Sequence, residues 1–536
     1  MSLRTALFAS AVLLTSSVIP DHSFANQARG SDAEPARVAA RVPATSAANV
    51  SNAVRRAVGY NRLSKFRHGL VITESEQGKD ESASTIYLGR RHGKLRSGES
   101  FGFDGAFHWQ RDEKRGIAVP NPQRNREKNS WPLWIRGYWW LNPASGISVA
   151  VLPEETTAET VALSLTLQGG IVPATLHVDR STWLPSKLVV AYERGPFTAR
   201  YSDYRPVNGV SVAFVVETSY RSDSRRLVQS VHPIADESIF AAPRIPSDHK
   251  FDGRRPAALM TAAGAPFSLG SPGHNYVRAA ADDGAAGWWH FDSGSDSMII
   301  DTAVANQLGM PIIGTHRSMG ADGTPREGTW RRGKSFTLGR IRIENPVYRA
   351  LDLSKNNAPP GERRMGTIGY DLFARSVVEY DDNGLAVRVC DPGTYRLPKG
   401  AQWQRLEHID STPAVRGLVE NRFKGLFQID TGSAGSIDFT KQFHETHRLL
   451  EGRETTSAAQ LGSGGTFSVE QGTIRTFKLA GREYKNVAVL FRTGGISREG
   501  SAGTVGRELL RSFAVVFDYI GHRVAFAPPG ARGNCG

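Results

Sequence analysis

The stretch that decides the fold is residues 288–295, Trp-Trp-His-Phe-Asp-Ser-Gly-Ser, an apolar run that ends in an acidic, glycine-containing turn. The same pattern returns at residues 426–433 as Leu-Phe-Gln-Ile-Asp-Thr-Gly-Ser. A second pair of motifs keeps nearly the same offset, with Gly-Thr-Ile-Gly-Tyr-Asp-Leu-Phe at 366–373 and Gly-Thr-Val-Gly-Arg-Glu-Leu-Leu at 503–510. Two motifs repeated in register predict an internal duplication in the C-terminal part of the chain.

Short strands follow each closing motif, at 377–381 and 385–389 in the first copy and at 515–518 and 523–526 in the second. Glycine and proline are frequent over the whole chain, with 55 and 28 residues, which indicates many turns between short strands. The sequence therefore predicts a mainly β protein.

An apolar strand ending in Asp-(Ser/Thr)-Gly-Ser, then a glycine-rich hairpin and an apolar Gly-x-x-Gly segment, resembles the pepsin and retropepsin class of aspartic peptidases over about residues 273–529. The resemblance implies two retropepsin-like β-barrel lobes, at 273–395 and 396–536, that form a bilobal aspartic peptidase. It also implies that Asp292 and Asp430 are the catalytic residues, one from each lobe.

The chemistry of amide hydrolysis explains why the acidic turn is duplicated. One carboxylate can take a proton from water while a neighbouring carboxylic acid polarises the carbonyl group. Two carboxyl groups about 3 Å apart cannot both ionise readily, so they share one proton. Gly294 and Gly432 fit this arrangement because a larger side chain would block the approach of the two loops. The alternative, a structural turn at Asp292 and Asp430, leaves the duplication unexplained.

Four hydroxyl residues flank the two Asp residues. By resemblance to the family, Ser293 and Thr431 would hydrogen-bond across the lobe interface and fix the spacing of the loops. Ser295 and Ser433 would donate to the outer carboxylate oxygens. An ordinary turn-stabilising hydroxyl is the alternative role for all four.

Two hairpin tips lie between the Asp turns and the closing motifs, at 319–323 and 461–465. Family flaps occupy these positions, and the flap candidates are Gly320, Gly323, Gly462 and Gly464. Pepsin-like flaps carry a Tyr over the substrate and neither tip does, so the chain resembles shorter retropepsin-like lobes fused in tandem. Which hairpin closes over a substrate stays open at this point.

The N-terminus is typical of an exported protein. Residues 1–25 contain Arg4, an apolar core too short to span a bilayer, and a Ser-Phe-Ala end that predicts signal-peptide cleavage after Ala25. No later apolar run is long enough for a transmembrane helix, so we expect a periplasmic or secreted protein. Residues 26–52 are rich in Ala, Ser and Arg, which predicts a flexible leader.

Alternating strands and turns predict an antiparallel β accessory domain at 53–245, and Asn208-Gly209 is a strong hairpin signal within it. The pattern resembles the half-barrels of bacterial outer-membrane lipoprotein carriers, which implies contact with a lipid or lipoprotein. A spacer or a pro-region is an equally good interpretation of this domain. Residues 246–272 have the Pro, Gly and Ala content of a linker.

Composition excludes several classes of protein. The 536 residues are 40% apolar and 22% charged, which excludes a disordered or fibrous chain, and a net charge of +14 favours anionic partners. The basic pairs lack the aromatic interleaving of a nucleic-acid groove, so we expect no nucleic-acid partner. His444 and His447 lack a third ligand, and we expect no metal or cofactor. Cys390 and Cys535 are the two cysteines, and the sequence leaves their pairing open.

These features predict an exported aspartic endopeptidase that acts on peptides or proteins. The alternative is a binding protein that holds a peptide or lipoprotein segment in the same cleft without cutting it. Neither the substrate nor the Asp that serves as the base can be assigned from the sequence.

Overall fold

The computed structural model describes residues 46–66, 69–77, 84–88, 92–96, 99–104, 107–191, 195–220, 222–236, 240, 247–253, 258–260, 262–263, 274–284, 286–319, 325–354, 362–383, 385–462, 465–494 and 500–536. Residues 1–25, predicted as the signal peptide, lie outside the described residues. The described part is mainly β, as predicted.

The N-terminal part is one antiparallel sheet of 13 strands in the described residues. Its strands are β1 (Leu70–Glu76), β2 (Ser84–Leu88), β3 (His92–Arg96), β4 (Glu99–Phe103), β5 (His108–Asp112), β6 (Ile117–Pro120), β7 (Ile147–Val151), β8 (Thr160–Leu167), β9 (Ala174–Asp179), β10 (Pro185–Val190), β11 (Phe197–Val207), β12 (Val210–Tyr220) and β13 (Ser222–Pro233). The spatial order runs from β6 back to β1, then through β13 back to β7. Short 3-10 helices lie at Tyr60–Lys65, Trp139–Leu141, Pro143–Ser145 and Pro153–Glu155.

Two helices pack on this sheet, α1 (Ala47–Val58) and α2 (Gln123–Arg136). Residues 47–52, which composition placed in the leader, form the first turns of α1, capped by the Ser46 hydroxyl. The strand pattern did not predict α2, whose Trp131 is fully buried in the core of the sheet. Because α2 fills this core, the described part of the domain offers no observation that favours a lipid cargo.

The predicted Asn208-Gly209 hairpin is present between β11 and β12, where Val207 pairs with Val210. Asn208 has φ 49° and Gly209 has φ 82°, so both central residues adopt the left-handed conformation. That geometry matches the right-handed twist of the strands and explains why this dipeptide predicted the turn.

The first C-terminal half and the segment before it contain fourteen strands and two short helices in the described residues. They are β14 (His249–Phe251), β15 (Ala258–Met260), β16 (Ala262–Ala263), β17 (Asn275–Ala281), β18 (Gly287–Phe291), β19 (Ile299–Asp301), α3 (Thr302–Gln307), β20 (Ile312–Met319), β21 (Pro325–Arg332), β22 (Ser335–Leu338), β23 (Ile341–Glu344), β24 (Val347–Leu351), β25 (Arg364–Ile368), α4 (Tyr370–Phe373), β26 (Val377–Asp381) and β27 (Ala386–Cys390). Three of these strands, β14 to β16, lie in the segment 246–272 that composition predicted as a linker.

The second C-terminal half contains the remaining described elements. They are β28 (Gln404–Arg405), β29 (Glu407–Ile409), β30 (Thr412–Val419), β31 (Phe423–Ile429), β32 (Ile437–Phe439), α5 (Lys441–Thr446), β33 (Thr456–Gly462), β34 (Gly465–Leu479), β35 (Arg482–Arg492), β36 (Gly503–Val505), α6 (Arg507–Leu510), β37 (Ala514–Asp518) and β38 (Arg523–Ala527).

The two halves have the same strand order in space. The first sheet contains β17-β18-β25-β19-β24-β21-β20, and the second contains β30-β31-β36-β32-β35-β34-β33. In both, the strand before the acidic turn runs parallel to the strand of the closing motif. The repeated motifs of the sequence therefore occupy equivalent places in two similarly ordered sheets.

A six-stranded sheet joins the halves, in the order β15-β27-β26-β37-β38-β28. Its central pair is β26 and β37, antiparallel, with Val378 opposite Phe517. Both strands are buried along their whole length, so they link the cores of the two halves. A disulfide between Cys390 and Cys535 ties the end of β27 to the C-terminus, which answers the question that the sequence left open.

Candidate active site

The strands β18 and β31 each deliver one Asp to the junction of the two halves. The backbone N–H of Asp292 donates to the Ile368 carbonyl at 3.0 Å, which continues the pairing of β18 with β25. The N–H of Asp430 donates to the Val505 carbonyl at 3.1 Å in the same way. Because the preceding residues Phe291 and Ile429 are fully buried, each acidic turn starts from a fixed point in the core.

Ser293 and Thr431 connect the two acidic turns by reciprocal hydrogen bonds. The N–H of Ser293 donates to Thr431 Oγ1 at 2.9 Å, and the N–H of Thr431 donates to Ser293 Oγ at 3.0 Å. The two hydroxyls in turn donate to the carbonyls of Ile429 and Phe291, at 2.8 and 3.2 Å. All the atoms are buried, so the two turns are held at one fixed separation.

The glycines let each turn contact the Asp of the other half. A Cβ added to Gly294 would lie 2.5 Å from Asp430 Oδ2, and one added to Gly432 would lie 2.5 Å from Asp292 Cγ. No side chain fits at either position without displacing the opposite carboxyl group. The structure thus brings Asp292, Gly294, Asp430 and Gly432 together at one place.

The two carboxyl groups have unequal surroundings. Asp292 Oδ1 accepts one backbone N–H, from Gly294 at 2.8 Å. Asp430 Oδ1 accepts two, from Gly432 at 2.8 Å and Ser433 at 3.1 Å. Burial, followed by the charge of Asp430 and a hydrogen bond to it, raises the pKa of Asp292 well above its usual value. The pair therefore favours a shared state in which Asp292 holds the proton.

The hydroxyls of Ser295 and Ser433 do not take the role expected from the family. Ser295 Oγ donates to the Ser297 carbonyl at 2.9 Å, inside the turn and away from the carboxyl groups. The contact of Ser433 with Asp430 is made by its backbone N–H. The expectation was wrong for Ser295, because its buried hydroxyl donates to a backbone carbonyl of its own loop instead.

Three basic residues beside the dyad escaped the sequence analysis. His290 Nδ1 lies 3.9 Å from Asp292 Oδ2, and Arg364 Nη2 lies 3.2 Å from the same imidazole nitrogen. His274 Nδ1 lies 3.1 Å from the Gly432 carbonyl. Alternation along a strand was the available signal, since His290 is two residues before Asp292 and shares its face.

Burial is the main cause of the pKa shifts in this basic group. It lowers the pKa of His290 well below its usual value, and Arg364 lowers it further. Burial also lowers the pKa of His274 and of Arg364. The two imidazoles are therefore neutral near neutral pH, and Arg364 is the cation next to Asp292.

Of the four flap candidates, one lies among the residues that the structure describes. Gly320 and Gly323 lie outside the described residues, as does Gly464. Gly462 ends β33 and pairs with Gly465 at the start of β34. The other hairpin, β20–β21, borders a groove of about 540 Å³ lined by residues 315–317 and 327–329. The paired strands β20–β21 and β33–β34 flank the predicted tips, and they do not reveal which hairpin covers a substrate.

The described part of the chain contains neither a metal-binding cluster nor a helix that could span a membrane. No three His, Cys, Asp or Glu side chains there gather in a way that could hold a metal ion. None of the described helices has both the length and the apolar character needed to cross a membrane.

Comparison with known proteins identifies one related family. Residues 277–372 match the family model described as aspartyl protease. The matched segment runs from β17 through most of α4 and contains Asp292 and the first closing motif. No curated protein matches the chain. The match supports a hydrolase of the aspartic protease type, with peptides as the class of substrate.

Proposed function

We propose that the protein is an exported aspartic endopeptidase formed by two tandem retropepsin-like lobes, with Asp292 and Asp430 as its catalytic dyad. The observation that carries this proposal is the contact of each Asp with the glycine of the opposite turn. This contact supports a pair of carboxyl groups that share one attacking water, an arrangement suited to amide hydrolysis without a metal or a covalent intermediate.

The unequal hydrogen bonding of the two carboxyl groups supports a division of roles. Asp430, which accepts two backbone N–H groups, takes a proton from the attacking water. Asp292, whose pKa is raised, donates its proton toward the carbonyl oxygen of the scissile bond. The oxygen of water bonds to the carbonyl carbon, which gives a tetrahedral intermediate with two hydroxyl groups. The C–N bond then breaks, the leaving nitrogen receives the proton that Asp430 took up, and one hydroxyl returns its proton to Asp292 as the carbonyl group reforms.

An edge strand supports binding of the substrate in an extended form. Strand β20 is the last strand of its sheet and has no partner beyond it among the described residues. An extended peptide can add to such an edge through main-chain hydrogen bonds. The groove along β20–β21 has room for its side chains.

We also propose that the enzyme works outside the cytoplasm, after cleavage behind Ala25. The disulfide Cys390–Cys535 supports an oxidising compartment, where such bonds persist. N-terminal sequencing of exported protein tests this, and a start at Asn26 is expected. Protein that keeps residues 1–25 and stays in the cytoplasm would contradict it.

We propose that the N-terminal sheet stays attached to the mature enzyme rather than being removed as a pro-region. Ile117 and Val119 of β6 are buried in the same core as the two C-terminal halves, so removing the sheet would expose that core. Extraction of the purified protein for bound acyl chains tests the lipid-carrier alternative, and we expect none.

The decisive experiment is cleavage of a mixed peptide library by the full chain between pH about 3 and about 8. We expect Asp292→Asn and Asp430→Asn each to abolish cleavage while the melting curve stays cooperative. Asp203→Asn, at an exposed position far from the site in sequence, is the control and should keep full activity. Cleavage retained by either dyad variant would contradict the proposal, and a wild-type protein that binds peptides without cutting them would establish the binding alternative.

A further inference from the structure

The surroundings of Asp292 and of Asp430 differ in charge, although the two strands before them are equivalent. Two residues before Asp292 lies His290, which pairs with Thr367 of β25. Two residues before Asp430 lies Gln428, which pairs with Thr504 of β36. Gln428 receives a hydrogen bond from the Ser501 hydroxyl at 3.4 Å, so the second side is polar but uncharged.

Arg364 makes the first side cationic. Its Nη2 donates to His290 Nδ1 at 3.2 Å and to the Thr367 hydroxyl, and its Nε donates to the Gly366 carbonyl at 3.2 Å. All of these acceptors are neutral groups. Among the described residues, no carboxylate lies within ion-pair distance of this guanidinium, although its side chain is only partly exposed.

The other nearby cation is already neutralised. Arg507 forms an ion pair with Asp382 at 2.7 Å, and Asp382 is buried. Arg364 forms no ion pair among the described residues, and the carboxyl group that acts on it electrostatically is that of Asp292 in the dyad. A partly buried cation is costly without a direct ionic partner, and Arg364 is the cation beside the dyad that lacks one.

His290 holds Arg364 in place and is itself incompletely bonded. Because an Arg can only donate, His290 Nδ1 is the acceptor and the proton of the neutral ring is on Nε2. That Nε2 is buried and has no hydrogen-bond partner among the described residues. The residue as a whole is 5% exposed. A buried donor and a guanidinium that forms no ion pair among the described residues thus lie on the same side of Asp292.

We propose that the corner formed by His290, Arg364 and Thr367 is a substrate subsite that binds an acidic side chain, a Glu or Asp carboxylate, next to the scissile bond. This inference rests on the proposed function, because it assigns a substrate class to the same cleft. A guanidinium recognises a carboxylate through two parallel hydrogen bonds, and the carboxylate supplies the missing counter-ion. The equivalent position on the Asp430 side holds Gln428, a neutral side chain, which makes no such demand.

The test begins with the full-length wild-type enzyme and a peptide library, with mass spectrometry to locate the cleaved bonds. We expect Glu or Asp to be enriched at one position within two residues of the cleaved bond. A matched pair of peptides that differ only by Glu or Gln at that position then gives the preference. We expect kcat/KM to be at least about tenfold higher for the Glu peptide, the range of a charge-assisted hydrogen bond.

Variants then assign the preference to Arg364. In Arg364→Gln we expect the ratio to fall to about one, because kcat/KM falls further for the Glu peptide than for the Gln peptide. Arg364→Lys keeps the positive charge and should retain part of the preference for Glu. That result would show that the loss in Arg364→Gln comes from the missing charge and not from misfolding. Arg363→Gln is the matched control, since the neighbouring Arg363 pairs with Asp301 instead; its ratio should equal that of the wild type.

The outcomes separate this inference from the proposed function. Efficient cleavage of the Glu and Gln peptides at equal rates would overturn the acidic subsite and leave the peptidase proposal standing. An unchanged Glu preference in a folded Arg364→Gln variant would also overturn it. No cleavage of any library peptide by the wild type would overturn the proposed function and this inference with it.

Discussion

Arg115, in the turn between β5 and β6 of the N-terminal sheet, donates a hydrogen bond of 3.2 Å to Asp371, the second residue of α4. The same Asp371 oxygen accepts the N–H of Met298 at 2.9 Å. Arg115 also donates to the Asp296 carbonyl at 2.9 Å, just after the first acidic turn. The N-terminal sheet therefore supports the loop that carries Asp292. The equivalent residue of the second half, Glu508, is exposed and belongs to no such network in the described residues.

Loss of Arg115 should destabilise the protein far more than loss of a surface arginine from the same hairpin. The side chains of Arg115 and Asp371 are 8% and 6% exposed, so Arg115→Ala leaves a buried carboxylate unpaired. We expect a cost of about 3–5 kcal/mol in the free energy of unfolding. Denaturant titration measures it. Arg111→Ala, which removes a pair with both side chains more than 40% exposed, should cost less than about 1 kcal/mol. Equal losses in the two variants would contradict this role of Arg115.

Substitution of the glycine in either acidic turn should abolish activity. Gly294→Ala places a methyl group 2.5 Å from Asp430 Oδ2, so the turns must separate and the dyad loses its spacing. Gly435→Ala is the control from the loop after the second acidic turn, because an added Cβ there meets nothing within 4 Å. Peptide cleavage is the measurement. A fully active Gly294→Ala enzyme would show that the two turns need not touch.

The reciprocal hydrogen bonds between Ser293 and Thr431 should appear as an energetic coupling. Ser293→Ala and Thr431→Ala each leave a buried N–H without its acceptor, at a cost of about 1–3 kcal/mol in the free energy of unfolding. The double variant should cost less than the sum of the two. Thr431→Ser keeps the hydroxyl and should lose little. Additive effects in a double-mutant cycle would contradict the coupling.

The raised pKa of Asp292 predicts how stability depends on pH. An unfolded Asp ionises near pH 3.8, whereas the folded Asp292 keeps its proton to higher pH. The folded state therefore binds more protons than the unfolded state above about pH 3.8, and stability falls as the pH rises through that window. The Asp292→Asn variant has no ionisable group at this position, so it does not show this loss of stability with rising pH. The melting temperature of the variant minus that of the wild type should therefore become more positive from pH 3 to neutral pH. A difference that stays constant over this range would contradict the raised pKa of Asp292.

The same shift predicts the alkaline side of the activity profile. Once the pH exceeds the raised pKa of Asp292, the dyad loses the proton that polarises the carbonyl. We therefore expect kcat to fall as the pH rises through that value, with the fall starting above the usual range of an Asp. A kcat that stays constant from pH 4 to pH 9 would exclude a protonated Asp292 as the acid.

Local sequence signals predicted the parts of the fold that local chemistry determines. The acidic turns follow apolar strands, and the Asn208-Gly209 turn has the positive φ angles that its residues favour. Helix α2 was missed because its sequence is rich in polar residues and contains Pro132, so its helical period is weak. Its helical form depends on Trp131 and its neighbours entering the core of the sheet, which no local pattern reveals.

Contacts between distant parts of the chain account for what the sequence left open at the site. His290 and Arg364 are 74 positions apart and meet only because β18 and β25 are parallel neighbours. Arg115 and Asp371 are 256 positions apart. Asp292 and Asp430 were predictable because each lies in a motif that occurs twice in the sequence. The basic residues beside them belong to no repeated motif.

The most direct test of the central claim is a carbon-13 NMR titration of the Asp carboxyl carbons in the full-length protein, with resonances assigned by Asp292→Asn and Asp430→Asn. We expect one carboxyl to stay protonated well above pH 3.8 while its neighbour is ionised. In each variant that elevated titration should disappear or move, because the two groups share one proton. Two independent titrations near pH 4, each unaffected by loss of the other Asp, would show that Asp292 and Asp430 do not form a dyad.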